Sequence, residues 1–209
     1  MPRKKLIRTH LFPYHVTTRT INQDWFDISL YEVWRIALYS LKLAHKVYPI
    51  ELISFVLMSN HYHLLLKTPN SNLDLFMYEF NKKFAQILLK RSKRTNRVFG
   101  NRYKWCLIQN QTYLYNCYRY IYQNPIRAKI VQSAENYPFS TLHYLVNNKE
   151  FPVPIIDYFG FKDEYALSWL NQNLETSEEQ AIKNAFRYSI LNSLKIRKTR
   201  SPLIKSTPY

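Results

Sequence analysis

The chain has 209 residues, 46% of them hydrophobic, which suffices for one domain of ordinary size with a packed core and an appendage. Its 30 Lys and Arg residues against 14 Asp and Glu give a formal net charge of +16, which indicates a polyanionic partner. The sequence excludes a membrane-spanning helix, because no apolar run reaches the ~18 residues that one needs. Two cysteines are too few for a disulfide framework, and two glycines are too few for a glycine-rich phosphate-binding loop.

The hydrophobic pattern predicts the element order β-α-β-β-α-β-α over the first two-thirds of the chain. The predicted strands are residues 14–19, 50–58, 61–67 and 102–109. The predicted helices are residues 29–47, 73–92 and 112–124. This order favours an α+β fold of the ferredoxin-like sandwich type, in which an antiparallel four-stranded sheet carries helices on one face.

The composition changes beyond Tyr137. Helices are predicted at residues 162–172 and 176–195, the second starting with a capping box at 176–179, and together they form a small C-terminal helical appendage. The basic stretch 197–209 contains two prolines and is predicted to be disordered. We therefore expect a main domain over 1–145, the appendage over 146–196 and a tail over 197–209.

The positive charge is concentrated in the N-terminal part of the chain. Residues 1–134 carry 21 basic and 6 acidic residues (+15), whereas 135–194 carry 4 and 8 (−4). Residues 81–104 contain no acid, which predicts a phosphate-facing surface, although a solvated helix face followed by a basic loop would show the same run. The basic residues of this run are Lys82, Lys83, Lys90, Arg91, Lys93, Arg94, Arg97, Arg102 and Lys104.

Aromatic residues make up 16% of the chain, and 18 of them are tyrosines. Unpaired bases stack on aromatic rings while Lys and Arg follow the backbone, so this combination favours a single-stranded nucleic acid. Most of these rings are nevertheless expected in the core or in interfaces.

The segment His61-Tyr62-His63 is the most distinctive local feature. In a strand both histidines point to one face, where two imidazoles ~7 Å apart can share one cation. Two histidines leave most of an octahedral shell to water and substrate phosphate, which suits Mg²⁺ or Mn²⁺ better than a closed zinc site. Taken alone, the same spacing in an apolar strand is more often structural or incidental than metal-binding.

The last predicted helix of the main domain carries Tyr120 and Asn124, four residues apart and hence on one side of a helix. This side is expected to border the sheet without being buried in it. A tyrosine there can present its hydroxyl to a phosphate beside a metal, and an amide oxygen can complete the coordination. Geometry alone does not select Tyr120, because the same helix also carries Tyr113, Tyr115, Tyr118 and Tyr122.

Three segments, in their order along the chain, resemble the REP-associated tyrosine transposases, a branch of the single-tyrosine HUH transposases. They are residues 58–66 (MSNHYHLLL), 99–104 (FGNRYK) and 119–128 (RYIYQNPIRA). The opening segment 14–19 (YHVTTR) also looks like the first strand of that family. The resemblance covers residues 5–145.

The resemblance implies a DNA transposase that cuts single-stranded DNA. Tyr120 would be the nucleophile that forms a 5′-phosphotyrosine link, and His61 and His63 would hold Mg²⁺ or Mn²⁺. Asn124 occupies the position at which related enzymes have a third polar metal ligand. Tyr62 occupies a position where the family usually has a hydrophobic residue. The expected partner is single-stranded or hairpin-forming DNA of the repetitive extragenic palindrome type. To the basic run we add Arg3, Lys4, Lys5, Arg19 and Arg127 as DNA-contacting candidates.

Two other readings remain open. A domesticated DNA-binding protein would keep the fold and the affinity but form no adduct, and a replication or conjugation initiator would use the same chemistry with the tyrosine placed differently. We expect a cytoplasmic monomer or homodimer without a membrane partner, because the basic N-terminus is not followed by the apolar stretch of a secretory signal.

Overall fold

A computed structural model describes residues 5–190. Four strands form one antiparallel sheet in the order β2-β3-β1-β4. The strands are β1 (Tyr14–Arg19), β2 (Glu51–Leu57), β3 (His61–Lys67) and β4 (Lys104–Leu107). The helices are α1 (Leu30–Val47), α2 (Leu73–Arg91), α3 (Gln111–Tyr122), α4 (Asn124–Arg127), α5 (Thr141–Val146), α6 (Glu164–Asn171) and α7 (Thr176–Ala185). The predicted α+β fold with an antiparallel four-stranded sheet is confirmed.

The sheet separates two hydrophobic layers. Because side chains alternate along each strand, Tyr62 and Leu64 point towards α1 and α2, whereas Leu65 and Cys106 point towards α3. The prediction placed helices on one face, and α1 and α2 do lie there. The opposite face is covered by α3 and by the helices of the appendage, since Val56 and Leu65 of the sheet are apolar on this side as well.

The predicted boundary at residue 145 is crossed by one continuous core. Phe161, Ala166 and Ile182 of the appendage lie in the same buried cluster as Ile121 of α3 and Leu65 of the sheet. The buried face of the sheet that the appendage covers is therefore the face that carries the two histidines. The domain boundary itself stays a prediction.

The C-terminal helix is shorter than predicted. It ends at Ala185 instead of residue 195, and the prediction for 191–195 and for the disordered tail lies outside the described residues. The helix ends because the open edge of β4 pairs with the following residues: Leu107 N donates to Ser189 O (2.9 Å), and Leu107 and Ile190 form a parallel bridge. Its N-cap is Glu175, whose backbone N–H donates to Glu178 Oε2 (3.1 Å), one residue earlier than predicted.

No helix within residues 5–190 has the length and apolar character needed to cross a membrane. The predicted sixth core element, strand 102–109, is confirmed over the shorter range of β4.

Tyr62 fills a buried site that a purely apolar residue would usually occupy. Its hydroxyl accepts a hydrogen bond from Thr18 Oγ1 (2.8 Å) and donates one to Asn81 Oδ1 (2.6 Å), which ties β3 to β1 and α2. The polar tip of this tyrosine is thus satisfied inside the core.

We expect Tyr62→Phe to lower the free energy of unfolding by about 1–3 kcal/mol, because it leaves Thr18 and Asn81 each without a buried partner. Urea denaturation measures this change, with Tyr31→Phe on the exposed surface of α1 as the control. An unchanged midpoint for Tyr62→Phe would show that these two hydrogen bonds contribute nothing net.

Candidate active site

Three histidines meet on the face of the sheet that α3 covers. His61 and His63 alternate with Tyr62 along β3, and their ring centroids lie 5.1 Å apart at an interplanar angle of 83°. His15 of β1 is stacked on His63, with centroids 5.1 Å apart, and its Nε2 lies 2.8 Å from His63 Nδ1. The strand therefore places His61 and His63 on the same face of the sheet, as the alternation predicted.

Asn60 determines which nitrogen of His61 is free to bind a cation. Asn60 Nδ2 donates to Gln23 O (2.6 Å), so the amide oxygen is the atom that faces His61 Nδ1 at 2.7 Å. An amide oxygen only accepts, so His61 Nδ1 carries the proton and Nε2 keeps its lone pair. Ligating histidines typically use the second nitrogen in this way.

His63 has the same arrangement through His15. Its Nδ1 is occupied by the contact with His15 Nε2, so Nε2 is its remaining nitrogen. When His63 Nδ1 is the donor and His15 Nε2 the acceptor, the lone pair of His63 Nε2 is available as well. In this tautomer the two histidines offer two Nε2 ligands. Among the described residues no group of three or more His, Cys, Asp or Glu side chains is arranged to hold a metal.

Burial keeps all three imidazoles neutral. Desolvation lowers the pKa of His15 to about 3 and that of His61 to about 4, from the ordinary value of 6.5. It also lowers the pKa of His63, and the neighbouring His15 and His61 act in the same direction. Neutral imidazole is the form that binds metal ions, so no proton has to be displaced at neutral pH.

We expect the protein to lose stability on acidification. Below the ordinary pKa of 6.5 the unfolded chain takes up protons that folded His15 and His61 refuse, so the free energy of unfolding falls with pH until their folded pKa values are reached. Between about pH 7 and pH 5 each of the two contributes a loss of about 2 kcal/mol. Urea denaturation at both pH values measures it, and His15→Gln should remove one share of the pH dependence. Equal pH dependence in both proteins would contradict this prediction.

Tyr120 is the tyrosine of α3 whose ring contacts a histidine in the described structure. Its centroid lies 5.9 Å from that of His63, edge to face. The other α3 tyrosines with described ring contacts or hydrogen bonds face elsewhere: Tyr115 and Tyr118 pack against Phe159, and Tyr122 shares a hydrogen bond with Thr141. The geometry therefore distinguishes Tyr120, which the sequence pattern did not.

The expectation that Tyr120 borders the sheet without being buried is wrong. The residue is 8% exposed, because Phe186, just beyond α7, lies over it with centroids 5.1 Å apart. Phe186 also lies 4.0 Å from the ring of His15. Burial raises the pKa of the Tyr120 hydroxyl, and the positive charge of Arg127 acts in the opposite direction.

Arg127 belongs to the surroundings of Tyr120. Its guanidinium lies 4.5 Å from the centre of the Tyr120 ring, Nη2 donates to Tyr120 O (2.6 Å), and Nε pairs with Glu179 Oε1 of α7 (3.2 Å). Four-fifths of its side chain is buried. Its proposed contact with DNA stays a prediction, and in the structure it contacts the candidate nucleophile Tyr120 and Glu179 of α7.

Asn124 starts α4 instead of ending α3. The helix was predicted to continue to residue 124, but it ends at Tyr122 and resumes with Asn124 and Pro125 after the turn at Gln123. Pro125 has no backbone N–H and cannot donate the helical hydrogen bond to Ile121 O. Asn124 Nδ2 donates to Tyr120 O (3.0 Å) and Ile121 O (3.1 Å). Its amide nitrogen is thereby turned to the helix end, and the amide oxygen is the atom left to act as a ligand.

The basic residues reach the site from its edge. Arg19 is paired with His61 and Lys104 with Thr17 across the sheet, so both lie on the histidine face. Gly100 N donates to Arg19 O (3.1 Å) and joins the basic loop to the end of β1. Most of the predicted DNA-contacting residues are exposed: Lys5, Arg19, Lys82, Lys90, Arg91, Lys93, Arg97, Arg102 and Lys104.

The remaining basic candidates differ. Lys83 and Arg94 are half-buried, and Arg94 Nε forms an ion pair with Asp27 (2.7 Å). Arg3 and Lys4 lie outside the described residues. Gly100 permits the close approach of this loop, since a Cβ there would lie 3.2 Å from Ile21 Cα.

Sequence reasoning missed His15, Asn60 and Phe186. His15 and His63 are 48 positions apart in the sequence, and the pairing of β1 with β3 brings them into contact. Asn60 was assigned to the turn between β2 and β3, and the alternating pattern carries no signal for its bond to His61. Phe186 fits the apolar stripe of a helix and gave no indication of a contact with the site.

The model of the family "Transposase IS200 like" matches residues 10–124, more than half of the chain. The chain belongs to the IS200-like transposases. The matched range includes the histidine strand, Tyr120 and Asn124, so the family predicted from the three segments is confirmed.

Two individual proteins are also similar to this chain, one in sequence and one in structure. A protein of Haemophilus influenzae assigned to the REP-associated tyrosine transposases is 25% identical over 116 residues, which cover 50% of this chain and 66% of that protein. A solved structure of a REP-associated tyrosine transposase bound to a REP hairpin superposes with a TM-score of 0.60 at 19% identity, covering 75% of this chain and 93% of the other. The second likeness establishes the shared fold.

Proposed function

We propose that this IS200-like transposase cuts and rejoins single-stranded DNA through a covalent bond to Tyr120, with Mg²⁺ or Mn²⁺ bound at His61 and His63. The observation that carries the proposal is the edge-to-face contact of Tyr120 with His63, 5.9 Å between centroids. It brings the candidate nucleophile beside the candidate metal ligands, although the two elements are far apart in sequence.

The proposed reaction is a transesterification. Tyr120 Oη attacks the phosphorus of a phosphodiester, the bond from phosphorus to the 3′ oxygen breaks, and that oxygen takes up a proton and leaves as a 3′-hydroxyl. The phenol proton passes to solvent, and the DNA 5′ end remains on Tyr120 as a phosphotyrosine. The covalent link conserves the phosphodiester bond energy, so a 3′-hydroxyl of another strand can reverse the reaction without ATP.

Arg127 would stabilise the charged forms of this site. An unassisted tyrosine has a pKa of ~10, and burial raises the pKa of Tyr120 further. The guanidinium of Arg127, 4.5 Å from the ring centre, offsets the charge of the phenolate. Its hydrogen bond to Tyr120 O also fixes the end of α3.

The histidines and Asn124 fit a hard divalent cation with open coordination positions. They provide two neutral Nε2 ligands and one amide oxygen, which leaves positions for water and for a phosphate oxygen. A bound cation would supply Lewis-acid stabilisation of the charge that develops on the phosphoryl group. The hydrogen bonds from Nδ1 to Asn60 and His15 would orient both ligands.

The proposed partner is single-stranded or hairpin-forming DNA. The exposed cations from Lys82 to Lys104 provide a phosphate-binding surface. The relative of the same fold was solved with a REP hairpin bound. We propose that the present chain binds a hairpin of this kind. Inverted or palindromic repeats, if the DNA that flanks its gene contains them, are the first DNA to test.

An end-labelling experiment tests the reaction. Single strands carrying such a palindrome, labelled at the 3′ or at the 5′ end, are incubated with Mg²⁺ or Mn²⁺ and denatured in detergent. We expect the 3′ label to migrate with the protein and the 5′ label to appear in a free shorter fragment, with neither product in EDTA. Binding without an adduct under either metal would overturn the proposal and favour the non-cleaving DNA-binding protein.

A further inference from the structure

One of the four tryptophans of the chain is exposed to solvent, whereas the other three are buried. Trp34, Trp105 and Trp169 are 2%, 8% and 5% exposed, whereas Trp25 is 73% exposed. Single exposed apolar residues are common on protein surfaces and need no explanation by themselves. Trp25 is distinguished by the rigidity of its backbone and by its neighbours.

The loop that carries Trp25 is held at several points. Residues 20–29 connect the end of β1 to α1, and Thr20 N donates to Asn60 O (2.9 Å) and Phe26 N to Ser59 O (3.0 Å). Arg94 Nη2 donates to Trp25 O (3.3 Å). The backbone on both sides of Trp25 is thereby attached to the β2–β3 turn and to the basic loop, while the indole remains in water. A ring presented on a fixed backbone loses little conformational entropy when a ligand stacks on it.

The same loop adjoins the candidate active site. Asn60 Nδ2 donates to Gln23 O (2.6 Å), and the oxygen of the same amide contacts His61 Nδ1 (2.7 Å). One asparagine therefore connects the Trp25 loop to a candidate metal ligand. A DNA strand with its phosphate beside His61 passes close to this loop.

On its other side the loop forms one wall of an open groove of about 660 Å³. The opposite wall is basic, with Arg91, Lys93 and Arg94, and Asn22 and Asn96 add amide groups. Two carboxylates, Asp24 and Asp27, also line the groove, and Asp27 is paired with Arg94 (2.7 Å), so the three cations exceed the two acids by one charge. Trp25 does not itself line the groove, but Asp24 and Asp27 on either side of it do, and its backbone oxygen accepts a hydrogen bond from Arg94 of the groove wall. An exposed aromatic ring combined with nearby cations is the arrangement by which proteins hold single-stranded nucleic acids.

We propose that Trp25 is a stacking platform for one unpaired base of the DNA strand next to the cleavage site, and that the groove receives the adjoining backbone. The inference rests on the proposed function in that it takes single-stranded DNA as the ligand. The base must be unpaired, because the faces of a paired base are covered by its neighbours in the duplex. Stacking of this kind tolerates any base and determines strandedness instead of sequence.

Tryptophan fluorescence tests the inference directly, since Trp25 is the tryptophan that an aqueous quencher reaches most easily. Acrylamide quenching is measured in EDTA with three DNAs: a blunt hairpin, the same hairpin with an unpaired extension of about eight nucleotides, and a duplex. We expect the extended hairpin to protect the fluorescence from acrylamide and the other two to leave it accessible.

Affinity measurements with labelled DNA complete the test. Trp25→Ala should weaken binding of the extended hairpin roughly five- to 150-fold, the range for loss of one aromatic platform, and leave the blunt hairpin unchanged. Trp25→Phe should restore most of the loss. The matched control is Tyr39→Ala, which removes an exposed aromatic ring from α1. All variants replace exposed residues, and thermal unfolding verifies their stability.

The outcomes separate this inference from the proposed function. Protection of Trp25 in EDTA, together with no covalent adduct when Mg²⁺ or Mn²⁺ is supplied in the end-labelling experiment, supports the stacking platform and overturns the cleavage proposal. An adduct formed while Trp25 stays accessible, or equal binding by Trp25→Ala, overturns the platform and leaves the cleavage proposal standing. Equal protection by the blunt hairpin overturns it as well, since that DNA offers no unpaired extension.

Discussion

Tyr120→Phe is expected to abolish the covalent protein–DNA adduct, with a loss of at least about 1,000-fold, because it removes the hydroxyl that attacks the phosphate. The substitution preserves the ring, its contacts with His63 and Phe186, and the position of Arg127 over it. DNA affinity and thermal stability should therefore remain close to those of the unchanged protein. The assay is the retention of the 3′ label on the denatured protein.

The matched control for Tyr120→Phe is Tyr113→Phe. Tyr113 lies on the same helix and packs against the same core cluster. Removing its hydroxyl tests whether the loss of another tyrosine hydroxyl from α3 also reduces the adduct. We expect a normal adduct from it. An undiminished adduct from Tyr120→Phe would instead exclude this residue as the nucleophile, and the remaining tyrosines of α3 would have to be tested in turn.

His61→Ala and His63→Ala are expected to reduce metal-dependent cleavage by about 100-fold or more, because each removes one of two imidazole ligands. Binding of the hairpin should change little, since the exposed cations that contact phosphates lie on other side chains. Loss of the free Mn²⁺ signal in electron paramagnetic resonance on titration measures metal binding without reference to activity.

His10→Ala serves as the control, because His10 is exposed and lies in the segment before β1. His63→Ala is also expected to cost about 1–3 kcal/mol of stability, since it leaves His15 Nε2 buried without its partner. His61→Ala lacks this complication and is the cleaner variant. Unchanged Mn²⁺ binding by His61→Ala would exclude the histidine pair as the metal site.

The comparison of these two sets of variants also separates binding from chemistry. Variants at Tyr120 should retain Mn²⁺ and DNA and lose only the adduct, whereas variants at the histidines should lose the metal first. This order follows from the structure, in which Tyr120 and the histidines occupy separate elements, α3 and β3, and meet through a ring contact.

Local periodicity predicted the secondary structure of the main domain well. The period of two in His61-Tyr62-His63 placed both imidazoles on one face because alternation is a property of the extended chain itself. The period near 3.6 located α1 and α2 within a few residues of their observed ends. Turns and helix ends were less accurate, as for α3, because Pro125 removes one backbone donor from the helix and the sequence does not show at which residue the helix breaks and starts again.

Contacts between distant segments were not predictable in this way. The burial of Tyr120 depends on Phe186, 66 positions later in the chain and beyond a helix whose end was predicted ten residues too late. The neighbour of His63 is His15, whose proximity follows from the pairing of β1 with β3. Pattern analysis evaluates one segment at a time and carries no information about which segments become neighbours.

By itself, the sequence determined the α+β class, the basic character that favours nucleic acid, the common face of His61 and His63, and the transposase family. The first three follow from composition and local periodicity, and the family follows from the resemblance of three short segments to known transposases. Only the tertiary structure decided which nitrogen of His61 is free, that Tyr120 lies against His63 under Phe186, and that Trp25 stays exposed beside the groove. These depend on the packing of side chains from several elements, and that packing is set by the sheet order and the fold as a whole.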